Sequence, residues 1–351
     1  MPVNIKINHR AIGAGHPAYI IAEMSANHGK DFNQAVKIIE AAKEAGADAV
    51  KLQTYTPDTI TIDCDNDPFR IKGTIWEGKN LYQLYSEAYT PWEWQPRLKE
   101  VAETMGMDLF STPFDATAVE FLEKMNVPAY KVASFEVVDL PLLEKIGKTR
   151  KPVIMSTGMA SLSEIDEAVS VLRRSGCTEL VLLKCVSAYP ATPQEMNLKT
   201  LPNLSDTFKV PVGLSDHSME ISVPVAAVVL GASVIEKHFT LARSQGGPDS
   251  SFSLEPGEFK AMVQAVRSAE MALGEICYDI SEKETENRTF RRSLFVVETI
   301  QKGALFNEKN IRSIRPAHGL HTRYLNGIIN KKAARDVVKG TPLSWDMVDF
   351  S

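Results

Sequence analysis

Two histidines each stand just past an apolar, strand-like run. His217 closes Val212-Gly213-Leu214-Ser215-Asp216-His217, and His238 sits in Val234-Ile235-Glu236-Lys237-His238-Phe239-Thr240. Neutral imidazoles at the ends of neighbouring strands can converge on one divalent metal and leave coordination positions open, as a catalytic site needs. The plainer alternative is a pair of buried, hydrogen-bonded histidines. Two lysines carry a second chemistry. Lys51 in Ala49-Val50-Lys51-Leu52-Gln53 and Lys131 in Ala129-Tyr130-Lys131-Val132-Ala133 interrupt apolar runs, where an unpaired ammonium is costly. They suit a point-charge clamp on a phosphate or carboxylate, with Ser134, Ser156 and Ser215 adding donors. The alternative is solvated strand ends, or pairing with Glu23 or Glu136.

The elements that would position these groups recur along the chain. Short β-rich runs occupy Ala18–Ala22, Ala49–Leu52, Asp108–Phe110, Ala129–Val132, Val153–Met155, Leu180–Leu183, Val212–Leu214 and Val234–Ile235. Helical spacing follows most of them, as in Ala35-Val36-Ile38-Ile39-Ala42 and Ile165-Ala168-Val169-Val171-Leu172. Ser163, with Asp166 and Glu167 behind it, reads as a helix start, and Gly46 and Gly176 as stops. This succession of strand–helix units predicts a (β/α)8 TIM barrel. A doubly wound open sheet is the rival, but Glu23-Met24-Ser25-Ala26-Asn27-His28-Gly29 supplies no glycine-rich phosphate loop. In a barrel the site forms at the C-terminal ends of the strands. Polar groups fall there: Glu23 with Asn27 and His28, Lys51 and Gln53, Ser111-Thr112, Lys131 with Ser134 and Glu136, Ser156-Thr157-Gly158, then Lys184 with Ser187 and Tyr189.

The barrel is expected over residues 1–273. A charged linker follows over 274–292, then a small module over 293–351 with β-like pieces at Ser293–Val297 and Ala333–Val337 and turns at Lys302-Gly303 and Lys339-Gly340. The aromatics Trp76, Tyr82, Tyr85, Tyr89, Trp92 and Trp94 are expected to pack a long second loop on the barrel rim, with one or two free to line a sugar pocket. His318 and His321 read as loop residues, not ligands. A net charge of −5 offers no global attraction to nucleic acid or to an anionic membrane. The N-terminal residues lack the apolar core of a signal peptide, and the longest apolar stretch, Ile221–Ile235, is too short and too interrupted to span a bilayer. The four cysteines, Cys64, Cys177, Cys185 and Cys277, have neither metal-ligand spacing nor a dense disulfide pattern. They suit reduced thiols in a cytoplasmic protein.

Ile21-Ala-Glu-Met-Ser-Ala-Asn-His, Lys51-Leu-Gln-Thr, Ser111-Thr-Pro-Phe, Tyr130-Lys-Val-Ala-Ser-Phe-Glu, Ser156-Thr-Gly-Met, Gly213-Leu-Ser-Asp-His and Glu236-Lys-His-Phe-Thr resemble the sialic acid synthase family over essentially the whole chain. The tail, with Ile314-Arg315-Pro316 and its two Lys-Gly turns, resembles that family's antifreeze-like (SAF) domain. Within the family, Gln53-Thr-Tyr-Thr-Pro-Asp, Ile71-Lys-Gly with Trp76, Leu81-Tyr-Gln-Leu-Tyr and Arg315-Pro-Ala-His-Gly-Leu-His are most like the pseudaminic acid synthases.

The resemblance implies a transferase that condenses phosphoenolpyruvate with an open-chain 2,4-diacetamido-2,4,6-trideoxy hexose and releases phosphate by C–O cleavage. N-acetylneuraminate or legionaminate synthesis by the same chemistry is the alternative, and a non-catalytic sugar-binding protein is the reading from another class. By resemblance, His217 and His238 are ligands to a divalent metal, manganese first, with magnesium or cobalt as alternatives. Phosphoenolpyruvate falls to Lys51, Lys131, Ser134, Ser156, Ser187 and Ser215. Ser187 stands where N-acetylneuraminate synthases have asparagine, and Gly246-Gly-Pro-Asp is closer to that type than to the pseudaminic one. Glu23 is implied as an acid/base group, and Gln53, Glu136, Tyr189, Asp249 and Arg315 as sugar contacts. The family's homodimers place the SAF domain of one chain over the barrel mouth of the other.

Overall fold

The computed structural model describes residues 4–351. The chain opens with an antiparallel hairpin, β1 (Ile5–Ile7) and β2 (Arg10–Ile12), which the sequence reading did not anticipate. Eight parallel strands follow: β3 (Tyr19–Glu23), β4 (Ala49–Thr54), β5 (Asp108–Pro113), β6 (Tyr130–Val132), β7 (Val153–Ser156), β8 (Leu180–Cys185), β9 (Val212–Asp216) and β10 (Ala232–His238). They close into one barrel, β10 pairing with both β9 and β3. Such strands are covered on both faces, which is why each reads as a nearly continuous apolar run. The hairpin buries Ile5, Ile7 and Ile12 in the barrel core. Its backbone and side chains bond to Glu179, Asp108 and Asp48, all at the starts of strands.

Each of the eight runs is a strand, but several continue past the expected end. β8 includes Lys184 and Cys185, β9 includes Ser215 and Asp216, and β10 runs through Glu236 and Lys237 to His238. The helix expected from Ser163 starts earlier. Ser161 is its N-cap, accepting from the Glu164 amide while Glu164 reaches back in a capping box. Gly176 ends that helix with φ 115°, and Gly46 follows Phe32–Glu44 with φ 93°, as a left-handed stop requires.

The chain divides into two compact units, Met1–Gly274 and Glu275–Ser351. The segment expected as a linker is exposed but carries a short helix, Glu282–Asn287, capped by Ser281, and a 3-10 turn, Arg288–Phe290. The second unit has its own core, built around Leu294, Val296, Phe306, Ile311 and Leu343. β11 (Ser293–Val296) pairs with β12 (Ile311–Ile314), and β13 (Lys332–Ala333) with β14 (Val348–Asp349). Ala333–Val337 is therefore not one strand. Asp336 turns aside to accept from the Lys302 amide, and Val337 forms only an isolated bridge to Ile300. Gly303 and Gly340, at φ 82° and 89°, make the two Lys-Gly turns. Among the described residues no helix is long and apolar enough to cross a membrane.

Candidate active site

Alternation along a strand sends every second side chain into the barrel. On β10 this aims Glu236 and His238 inward and Lys237 outward, where it pairs with Asp216 at 2.5 Å. The β9–β10 register sets Ser215 beside Glu236, and β10–β3 sets His238 beside Glu23. The His217 and His238 rings have centroids 5.3 Å apart. His217 Nδ1 lies 2.8 Å from the Val186 carbonyl. A proton on Nδ1 satisfies that carbonyl and leaves Nε2 with a free lone pair, the usual support for a metal-ligating imidazole. His238 Nδ1 is buried without a hydrogen-bond partner, and burial above all holds its pKa well below the ordinary value. Two nearby imidazoles with unused nitrogens fit a divalent ion held by few protein ligands. Among the described residues no group of three or more His, Cys, Asp or Glu side chains forms a closed metal cage.

Deeper in the barrel lies a buried set of four charges. Lys51 Nζ is 3.0 Å from Glu23 and 3.2 Å from Glu236, and Lys131 Nζ is 3.7 Å from the same Glu236 oxygen. Burial works against the Lys51 charge, but the two carboxylates outweigh it and raise its pKa. Lys131, with less compensation, is lowered by burial. For Glu23 burial also wins, raising the carboxyl against the pull of Lys51. Glu236 goes the other way: burial opposes its charge, yet Lys131 and Lys51 hold it below the usual range. On Glu236 all of these contacts go to Oε1, and Oε2 has no hydrogen-bond partner.

Lys131 donates to Ser156 Oγ at 2.7 Å, and Ser134 Oγ accepts from the Gly158 amide at 3.0 Å. A Cβ on Gly158 would lie 2.5 Å from Ser187 Oγ and 2.8 Å from Ser134 Oγ. The glycine thus lets both hydroxyls crowd one backbone amide, and Ser187 Oγ is left buried and unpartnered. Hydroxyls, an amide and an ammonium gathered this way form an anion cradle. Ser215 is spoken for by Glu236, to which it donates at 3.0 Å.

Above these groups opens a cavity of about 390 Å³ lined by Gln53, Trp76, Tyr85, Glu136, Tyr189, His238 and Asp249, among others. Tyr189 stacks on His217 with centroids 4.4 Å apart and packs on Phe252. Trp76, fixed by its indole bond to the Pro248 carbonyl at 2.8 Å, leans on Tyr189. Gln53 donates to Glu23 at 2.9 Å and to Ser25 at 2.8 Å. Burial lifts the Glu136 carboxyl to about 7. Apolar walls with a few placed polar groups are the usual make-up of a small-ligand site.

The expected site residues of the first unit thus assemble at one end of the barrel. The alternative pairing of Lys51 with Glu23 is present, whereas the partner of Lys131 is Glu236 and not Glu136. Glu236 escaped the sequence reading as a site residue, although its place two positions before His238 puts both on one face. Trp76 and Tyr85 line the cavity, while Trp92 packs on Phe121 and Trp94 on His28 and Phe32. Arg315 belongs to the second unit, where it is exposed just beyond β12. His321 accepts from the Arg323 amide as a turn cap, and His318 is exposed. The four cysteines are free thiols.

The NeuB family matches residues 38–278 and the SAF domain residues 291–349. The chain is 47% identical to pseudaminic acid synthase of Helicobacter pylori over 95% of its own length and 99% of that protein's. It is 36% identical to N,N'-diacetyllegionaminic acid synthase of Legionella pneumophila, over 99% and 100%. The crystal structure of N-acetylneuraminic acid synthetase from Leptospira borgpetersenii superposes with a TM-score of 0.73 at 32% identity, over 82% of this chain and 95% of that one. With an eight-stranded barrel that gathers these charges at one end and a second unit matching the SAF domain, this chain belongs to the NeuB family.

Proposed function

We infer that the protein is a nonulosonic acid synthase of the pseudaminic type. It condenses phosphoenolpyruvate with an open-chain 2,4-diacetamido-2,4,6-trideoxy hexose and releases inorganic phosphate. The observation that carries the reading is the convergence of Lys51, Lys131, Glu23 and Glu236 beneath the His217–His238 pair, under a cavity of sugar size.

On this reading Lys51 and Lys131 offset the charge of phosphoenolpyruvate and hold its C3 against the sugar aldehyde, so that encounter becomes positioning. Ser134, Ser156, Ser187 and the Gly158 amide bind its anionic groups. A divalent metal on His217 and His238, manganese first and magnesium or cobalt as alternatives, would polarise the aldehyde carbonyl as a Lewis acid. C3 forms a bond to the aldehyde carbon, whose oxygen takes a proton from the Glu23 carboxyl, and a cation develops at C2. Glu23, at the strand end with its oxygens against Lys51 and Gln53, then takes the proton of the water that adds to C2. Glu236 supplies the fixed negative charge that keeps both ammoniums in place. The bond between C2 and the phosphate oxygen then breaks, the C2 hydroxyl passing its proton to the departing phosphate as C2 becomes the ketone. Gln53, Glu136, Tyr189 and Asp249 line the sugar side. Arg315 contributes from the SAF unit of a partner chain in a homodimer. Four free thiols suit a cytoplasmic enzyme.

The test is phosphate release with phosphoenolpyruvate and a panel of amino sugars: the pseudaminic precursor, the legionaminic precursor and N-acetylmannosamine. Turnover highest on the first supports the reading. Turnover highest on either other sugar moves the protein to that specificity, and no phosphate release with any overturns it.

A further inference from the structure

Ser25 occupies a backbone conformation that a side chain resists. It has φ 46°, in the left-handed region, and it is 2% exposed at the start of the turn Ser25–His28. Glycine adopts that conformation freely, whereas a residue with a Cβ is strained. Its hydroxyl bridges two cavity-lining groups. It accepts from Gln53 Nε2 at 2.8 Å and donates to Asp249 Oδ2. Gln53 Nε2 also donates to Glu23, so both of its hydrogens are engaged and what this cavity-lining amide has left to offer is its acceptor oxygen. Asp249 likewise presents a carboxylate. Burial pushes that carboxyl up, and the Ser25 hydroxyl and Ala26 amide oppose the rise. The Gln53 amide oxygen and the Asp249 carboxyl thus give this part of the cavity acceptors for N–H or O–H donors of a ligand.

We propose that Ser25 is a positioning residue that sets this acceptor wall, and with it the preference for hydrogen-bond donors on the amino sugar. The proposal rests on the reading above that Gln53 and Asp249 face the sugar. Strain at a buried turn is kept because the hydroxyl aligns two recognition groups. Two variants separate the hydroxyl from the backbone. Ser25→Ala removes the hydroxyl and keeps the left-handed strain, and Ser25→Gly removes both. Both are expected to raise KM for the sugar about tenfold with KM for phosphoenolpyruvate within twofold of the parent. The glycine variant should nevertheless have the higher Tm of the two. A sugar KM unchanged in both, or restored in Ser25→Gly alone, overturns the proposal, as does an equal rise in both substrates' KM. Gln53→Ala and Asp249→Ala are measured alongside. If these raise the sugar KM while the Ser25 variants do not, the Ser25 proposal alone fails. If none of the four moves it, the assignment of this wall to the sugar fails as well.

Discussion

Lys51 and Glu236 meet inside the barrel at 3.2 Å, each side chain only 6% exposed, and the same Glu236 oxygen lies 3.7 Å from Lys131. One carboxylate therefore serves two ammoniums, and Lys51 alone has a second partner in Glu23. Removing one member of a buried ion pair leaves an uncompensated charge, at a cost of about 3–5 kcal/mol. Glu236→Gln is expected to lower the unfolding free energy by about 3 kcal/mol, read from urea denaturation, and to depress turnover about 100-fold. A loss of stability with turnover intact would assign Glu236 to the fold only.

Lys131 has the weaker compensation, and it donates to Ser156 within the anion cradle. Lys131→Ala is expected to weaken phosphoenolpyruvate binding by about 2–5 kcal/mol, as for a desolvated charge pair. Calorimetric titration with phosphoenolpyruvate alone measures it. A shift confined to the sugar's KM would mean that the lysine acts on the other substrate.

Metal dependence follows from the free nitrogens of His217 and His238. Chelation should abolish turnover and manganese restore it, while His217→Ala and His238→Ala should each lose stoichiometric manganese binding, measured by equilibrium dialysis, with the barrel still folded by circular dichroism. Full activity in metal-free enzyme would remove the metal from the scheme.

The Glu136 carboxyl is raised by burial from 4.5 to about 7. The folded state thus holds this proton more tightly than the unfolded one, so the contribution to stability is full below pH 4.5 and declines as pH rises towards 7. Glu136→Gln stays neutral throughout. Its Tm relative to the parent is therefore expected to be higher at pH 8 than at pH 4.5, by differential scanning calorimetry. An equal difference at both values would show that Glu136 is not shifted.

Arg315 lies in the second unit, and the proposed homodimer makes it a contributor to a partner's site. A chain lacking Ser293–Ser351 should be inactive yet bind phosphoenolpyruvate. Mixing it with full-length Glu23→Ala should recover some activity, because each supplies what the other lacks. Absence of recovery in mixed dimers would confine the SAF unit to its own chain or to another task.

The barrel was legible because parallel strands buried on both faces read as apolar runs, and their order fixed which polar residues share an end. What hid was where the strands stop. Glu236 and Lys237 look like the end of β10, yet they face opposite sides of the barrel wall, the first towards two lysines and the second towards Asp216. Local polarity suggests a strand end, whereas long-range pairing makes charge tolerable inside a strand. For the same reason the Lys131 partner was sought nearby at Glu136 and lies on β10. The helix start was misplaced because Ser161 and Ser163 are both good caps, and only the reach of Glu164 decides between them. The hairpin was missed because Ile5, Ile7 and Ile12 become core only once the strand starts at Asp48, Asp108 and Glu179 surround them.

That hairpin has a consequence for traffic. It covers the strand starts with Ile5, Ile7 and Ile12, and the cavity opens at the opposite end of the packed barrel. Lys51 sits two residues before Gln53 on β4, roughly 7 Å earlier along the strand at the usual rise and so deeper in the barrel. A ligand at the sugar wall would cork whatever lies on the lysines. With the groups assigned as proposed, phosphoenolpyruvate arrives first and the amino sugar second, and the order of loading becomes a property of depth.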